Sequence, residues 1–129
     1  MHLRDFENQD GEARRRRFQR LRSDPEVFAL AQLVADERGV TLTALMRRSR
    51  GHGKSAAARQ LAVYLAHVML ERPQDVVAEL FGRDRTTIAH ACHLIEDMRD
   101  KAAIDAEIAR IESRWLRTSR LKLDYKYAA

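Results

Sequence analysis

Apolar residues in this chain recur every three to four positions, with polar residues between them, and that spacing predicts helices. Val27, Leu30, Ala31 and Val34 form the first clear stripe. Ser23-Asp24-Pro25-Glu26 opens it, with Asp24 placed to cap and Pro25 at the first helical position. Gly39 closes this helix, and Val40-Thr41 begins a short second one, with Thr41 as cap and Leu42, Leu45 and Met46 inward. A longer helix is predicted from about Ser55 to Leu70, with Ser55 as its cap and Leu61, Tyr64, Leu65 and Val68 on its buried side. Pro73 to Phe81 predicts a short helix with Val76, Val77, Leu80 and Phe81 apolar. Gly82 stops it, and Asp84 stands where the next helix needs a cap. Ile88, Ala91, Cys92, Ile95 and Met98 make that helix's apolar stripe. After a polar break near Asp100, a last amphipathic helix carries Ile104, Ile108, Ile111 and Trp115. The pattern is that of an all-α helical bundle containing a helix-turn-helix, the short helix and turn at Gly82 leading into the second helix.

The two ends read differently. Residues 1–22 are polar and charged, with Arg14, Arg15, Arg16 and Arg17 in one block. They are expected to form a basic arm, either mobile or on a short helix from Glu12, serving as a solvated tail or as an auxiliary phosphate-binding arm. The folded domain is expected over 23–118. Leu121-Lys122-Leu123-Asp124-Tyr125-Lys126-Tyr127 alternates apolar and polar. With no partner strand in view, 119–129 is expected to be a flexible or partner-binding tail.

Charge narrows the class of partner. The 129 residues suffice for one domain, and a net charge of +5 favours polyanions. A single cysteine allows no internal disulfide, no run is long enough to span a bilayer, and the N-terminus lacks a signal-peptide core. A cytoplasmic, nucleoid-associated protein with no membrane partner is therefore expected.

The face of the second motif helix opposite its apolar stripe shows Arg85, Thr86, Thr87, Ala89, His90 and His93. Donors and small methyl-bearing groups without acids suit a major groove, where base edges and thymine methyls are read. Arg47, Arg48, Arg50 and Lys54 form a basic Gly-containing stretch, with Arg59 following.

Several fragments resemble catalytic or metal chemistry only in part. Gly53-Lys54-Ser55 ends like a P-loop, but the glycine required five positions earlier is Arg48. His90, Cys92 and His93 are close in sequence, but Cys92 belongs to the apolar stripe, and two histidines fall short of a zinc site. A cysteine on such a stripe is also a poor nucleophile. No enzyme activity, cofactor or metal is expected.

Taken together, these residues resemble the C-terminal DNA-binding domain of the DnaA family of bacterial replication initiators. The family pattern G-R-D-H-T-T-V-x-H-A stands here as Gly82-Arg83-Asp84-Arg85-Thr86-Thr87-Ile88-Ala89-His90-Ala91. Upstream, in the family's order, come Gly39-Val40-Thr41, the basic Arg47-Arg48-Ser49-Arg50, the Arg59-Gln60 pair and Pro73. The similarity covers roughly residues 25–100 and implies a TrpR-like helical fold. It implies a minor-groove role for Arg48 with Arg50 beside it, and DNA contacts from Arg59 and Gln60, to which Lys54 is added for its charge. It further implies major-groove contacts from Asp84, Arg85, Thr86 and Thr87, beside which Arg83 and His90 are also expected to bind DNA. Two positions depart from the family. Arg85 replaces a histidine and points to altered base preference, since arginine favours guanine edges. The basic stretch is extended by Gly51-His52-Gly53-Lys54.

The resemblance implies binding of double-stranded DNA at DnaA-box-like sites, in control of replication initiation or of transcription. The chain reads as a stand-alone DnaA-like protein without the AAA+ ATPase domain. The alternative is a regulator that engages DnaA or its inactivating AAA+ ATPase through a DnaA-like fold.

Overall fold

The computed structural model describes residues 3–47 and 53–127, with side chains described over 11–47 and 53–120. Seven helices follow in order: α1 (Leu3–Arg22), α2 (Pro25–Arg38), α3 (Leu42–Met46), α4 (Lys54–Val68), α5 (Gln74–Phe81), α6 (Arg85–Met98) and α7 (Ala102–Tyr127). There is no strand among the described residues. The protein is an all-α bundle, as the hydrophobic spacing predicts.

α4 is the hub, packing against α2, α3, α5 and α6. Its residues Leu61 to Ala66 are buried without a break. A helix covered on all sides must be apolar all round, so the single predicted stripe is too narrow. Ala62, Val63 and Ala66 join the core, while Val68, expected inside, is 46% exposed at the helix end.

Local chemistry sets most of the ends. The Asp24 carboxylate accepts from the Val27 N–H and Thr41 Oγ1 accepts from the Ala44 N–H. Gly39 and Gly82 sit in the left-handed region at φ 67° and 65°, closing α2 and α5. The start of α4 differs from expectation. Ser55 lies inside the helix, and Gly53 occupies the cap position with no side-chain bond. At φ 78° and ψ −139°, Gly53 takes a backbone conformation open essentially to glycine alone, which starts the helix one residue before Ser55.

The described ends are helical too. α1 is a 20-residue helix that packs against α2 and α5, with Leu21 fully buried in the core. Phe18 packs against that core as well. Two apolar anchors among the arginines thus fasten a segment whose charge suggests an arm. α7 continues as helix to Tyr127, through the stretch whose alternation suggests a strand or tail.

Long side chains lock the helices that carry the site. Arg72, in the α4–α5 connection, donates to Asp24 at 2.8 Å and Glu26 at 3.1 Å, pinning α5's entry to the start of α2. That guanidinium is the main reason the Asp24 carboxyl is held below its ordinary value. His67 shares a 2.8 Å bond between Nδ1 and the Arg72 carbonyl, which gives this half-buried histidine a structural task. The Tyr64 hydroxyl donates to Glu96 at 2.7 Å and accepts from Arg99 at 3.3 Å, joining α4 to the far end of α6. Arg99 continues to Asp105 and Glu112 on α7.

Candidate nucleic-acid interface

α6 is held by one face and offers the other. Ile88, Ala91, Cys92 and Ile95 are buried against the core. Arg85, Thr86, Thr87, His90 and His93 are exposed. Thr86 and His90 are four residues apart, so they share one face of the helix. Burial of Cys92 raises its thiol pKa, and the two histidines beside it point to solvent. No three His, Cys, Asp or Glu side chains gather as a metal site among the described residues.

The first turn of α6 is built by its cap. Asp84 Oδ1 accepts from the Thr87 N–H at 2.8 Å and from the Thr87 hydroxyl at 2.9 Å. These bonds hold the Asp84 carboxyl below its ordinary value. The Thr87 hydroxyl is thus engaged in holding the helix end, leaving its methyl and the whole Thr86 side chain presented outward. Arg85 is exposed in the same turn. The helix N-terminus there also carries the positive end of the helix dipole, favourable to phosphate.

Among the described residues, the stem of the basic stretch before α4 is tied to this turn through the Arg47 carbonyl. The Arg47 carbonyl oxygen accepts from Arg83 Nη2 at 2.6 Å and from Arg59 Nη1 at 3.3 Å. Arg59 Nη1 also donates to the Leu45 carbonyl at 3.2 Å. Arg59 is half-buried, and burial lowers its pKa. Of the residues expected to bind DNA, Arg59 and Arg83 thus bond to the stem of the basic stretch. Gln60 is half-buried and Lys54 exposed at the start of α4. Arg48 and Arg50 lie outside the described residues.

Sequence reasoning passed over one contributor and left the placement of another open. The Arg47 carbonyl is a backbone acceptor, with no signature in residue type. The second is α1, expected as a tail or an auxiliary phosphate-binding arm, whose Arg17 and Arg20 reach the turn at Gly82. Ala13, Arg16, Arg17 and Arg20 fall at helical spacing, and that period was the available signal.

A capped helix with an exposed donor and methyl face, entered from a short helix across a left-handed glycine, defines a helix-turn-helix protein of the DNA-binding kind. The model of the bacterial DnaA protein helix-turn-helix matches residues 29–95, and the chain belongs to that family. It is also 31% identical over 91 residues to the chromosomal replication initiator protein DnaA of Spiroplasma citri. That match covers 66% of this chain and 20% of the relative, so the chain spans about a fifth of the initiator's length. Such a domain is a DNA-binding module rather than a catalytic one. No helix among the described residues is long and apolar enough to cross a membrane.

Proposed function

We propose that this protein binds double-stranded DNA sequence-specifically at DnaA-box-like sites and acts in the control of replication initiation. α6 enters the major groove, where Arg85, Thr86, Thr87 and His90 meet base edges and Asp84 meets the rim. Arg48, with Arg50 beside it, enters the adjacent minor groove, whose negative potential suits arginine. Lys54, Arg59, Gln60 and Arg83 support or neutralise the backbone between them. The observation that carries this reading is the outward Arg85-Thr86-His90 face beside a basic stretch whose stem is hydrogen-bonded to Arg83 at 2.6 Å. Arg85 in the family's histidine position favours a guanine at the matching base pair.

Selection of duplexes from a random pool with the full chain tests this reading. An enriched motif is expected. Arg48→Ala with Lys54→Ala should weaken every duplex alike and flatten the dependence of binding on salt, by about 0.9 in log–log slope per lost phosphate contact. Thr86→Ala should instead relax preference at one position of the motif. No enrichment, together with salt-insensitive binding, would refute the reading.

A further inference from the structure

We propose that the Arg16-Arg17-Arg20 face of α1 is a second grip on the DNA backbone, clamping the phosphate strand that flanks the groove entered by α6. The proposal rests on the duplex-binding role given to α6 above.

Ala13, Arg16, Arg17 and Arg20 line one cleft of about 160 Å³ with Gly82. A Cβ placed on Gly82 would lie 3.1 Å from Arg20 Nη2 and 3.7 Å from Arg17 Cγ. The arginines therefore lie directly over the turn of the helix-turn-helix, two residues before the Asp84 cap. When such a motif docks, its first helix crosses the sugar–phosphate backbone while the second lies in the groove. α1 packs on that first helix, α5, so its guanidiniums overhang the strand beside the groove.

The charge on this face is scarcely neutralised within the protein. Among the described residues the Arg14–Arg17 block has one carboxylate partner, Glu12 at 3.8 Å from Arg16, and both side chains are well exposed. Arg17 Nε is buried and finds no acceptor. Guanidiniums match phosphate oxygens through paired N–H donors. The helix is also anchored beforehand by Phe18 and Leu21, so little ordering remains to be done on binding. Lipid headgroups present similar oxygens, but the position over the turn favours the duplex.

The test is the full chain carrying Arg16→Gln, Arg17→Gln and Arg20→Gln, which keeps the aliphatic stems and removes the charge. Its affinity for the selected duplex and for a scrambled one is measured across a salt series. Arg117→Gln with Arg120→Gln, exposed on α7, serves as a control for overall charge. The expected result is a log–log salt slope shallower by roughly two to three than wild type, with sequence preference unchanged. If the triple variant loses its helical circular dichroism, Arg16→Gln with Arg20→Gln replaces it, with an expected change of about one to two. A slope equal to wild type, or altered no more than in the control, overturns the clamp. So does lost adhesion to phosphatidylglycerol vesicles with the duplex slope intact. Wild-type protein that binds no duplex overturns the clamp and the proposed function together, whereas normal binding by wild type and variants alike overturns the clamp alone.

Discussion

Between α2 and α7 arginines end on carboxylates, whereas most of the cations of α1 and those at the starts of α4 and α6 are exposed. Arg110 and Arg114 converge on Glu37 at 2.9 and 2.7 Å, and Arg114 also reaches Asp36 at 3.1 Å. Arg38 faces Glu107 at 3.5 Å. Glu37 is only 10% exposed, so its charge is held inside a cage of guanidiniums. Elsewhere, Arg14, Arg15, Arg16, Arg20, Lys54 and Arg85 are exposed, with one weak carboxylate partner, Glu12, among the described residues. The net charge of +5 is thus a poor guide to function. Segregation matters more, because internal pairs cancel their own field and unneutralised cations extend theirs towards a polyanion.

The sharpest way to break this contrast is to mutate each side separately. Arg85→Ala with Thr86→Ala should lower affinity for the selected duplex by about a hundredfold, two base contacts at roughly 1–3 kcal/mol each. Arg110→Gln with Arg114→Gln should leave duplex affinity unchanged in fluorescence anisotropy while lowering Tm. A fall in affinity from the second pair equal to that from the first would erase the distinction.

A smaller effect is expected at the seam between α1 and the motif. Gly82→Ala places a Cβ at φ 65°, costing about 1–2 kcal/mol in denaturant unfolding. It also crowds the Arg20 guanidinium at 3.1 Å, so the salt slope of duplex binding should become shallower alongside the stability loss. Unchanged stability would mean that the turn is not held left-handed.

The smallest effect lies in acid. Hydrogen bonds from Arg110 and Arg114 hold the Glu37 carboxyl below its ordinary 4.5, and Arg72 does the same for Asp24 against 3.8. A carboxyl with a depressed folded pKa adds stability that is complete above its unfolded pKa and lost as pH falls through the folded one. Tm should therefore drop as pH falls from about 5 towards 3, and Glu37→Gln should flatten part of that drop. A Glu37→Gln profile parallel to wild type would show that the cage contributes nothing at low pH.

What was legible in the sequence was chiefly local. Asp24, Thr41 and Asp84 cap their helices, and Gly39 and Gly82 end theirs, because each task depends on residues within one turn. Ser55 failed as a cap because Gly53, by its own backbone freedom, opens α4 earlier. The period that placed Ile88, Ala91, Cys92 and Ile95 inside α6 under-read α4, since a stripe presumes one partner and α4 has four. Phe18 and Leu21 were hidden among arginines, and seven alternating residues at Leu121–Tyr127 obscured a helix already running from Ala102. Within the candidate site, the exposure of Arg85, Thr86 and His90 followed from the stripe opposite them. The meeting of Arg59 and Arg83 on the Arg47 carbonyl depends on tertiary placement.

That meeting on the Arg47 carbonyl gives the protein a built-in ruler. One guanidinium comes from the hub helix and the other from the residue just ahead of the recognition-helix cap, so the point where the basic segment departs cannot drift independently of α6. Lengthening or shortening that segment would leave its origin at the same offset from the exposed face of α6. On the docking proposed above, the Arg47 carbonyl therefore helps to hold constant the number of base pairs between what the two elements touch.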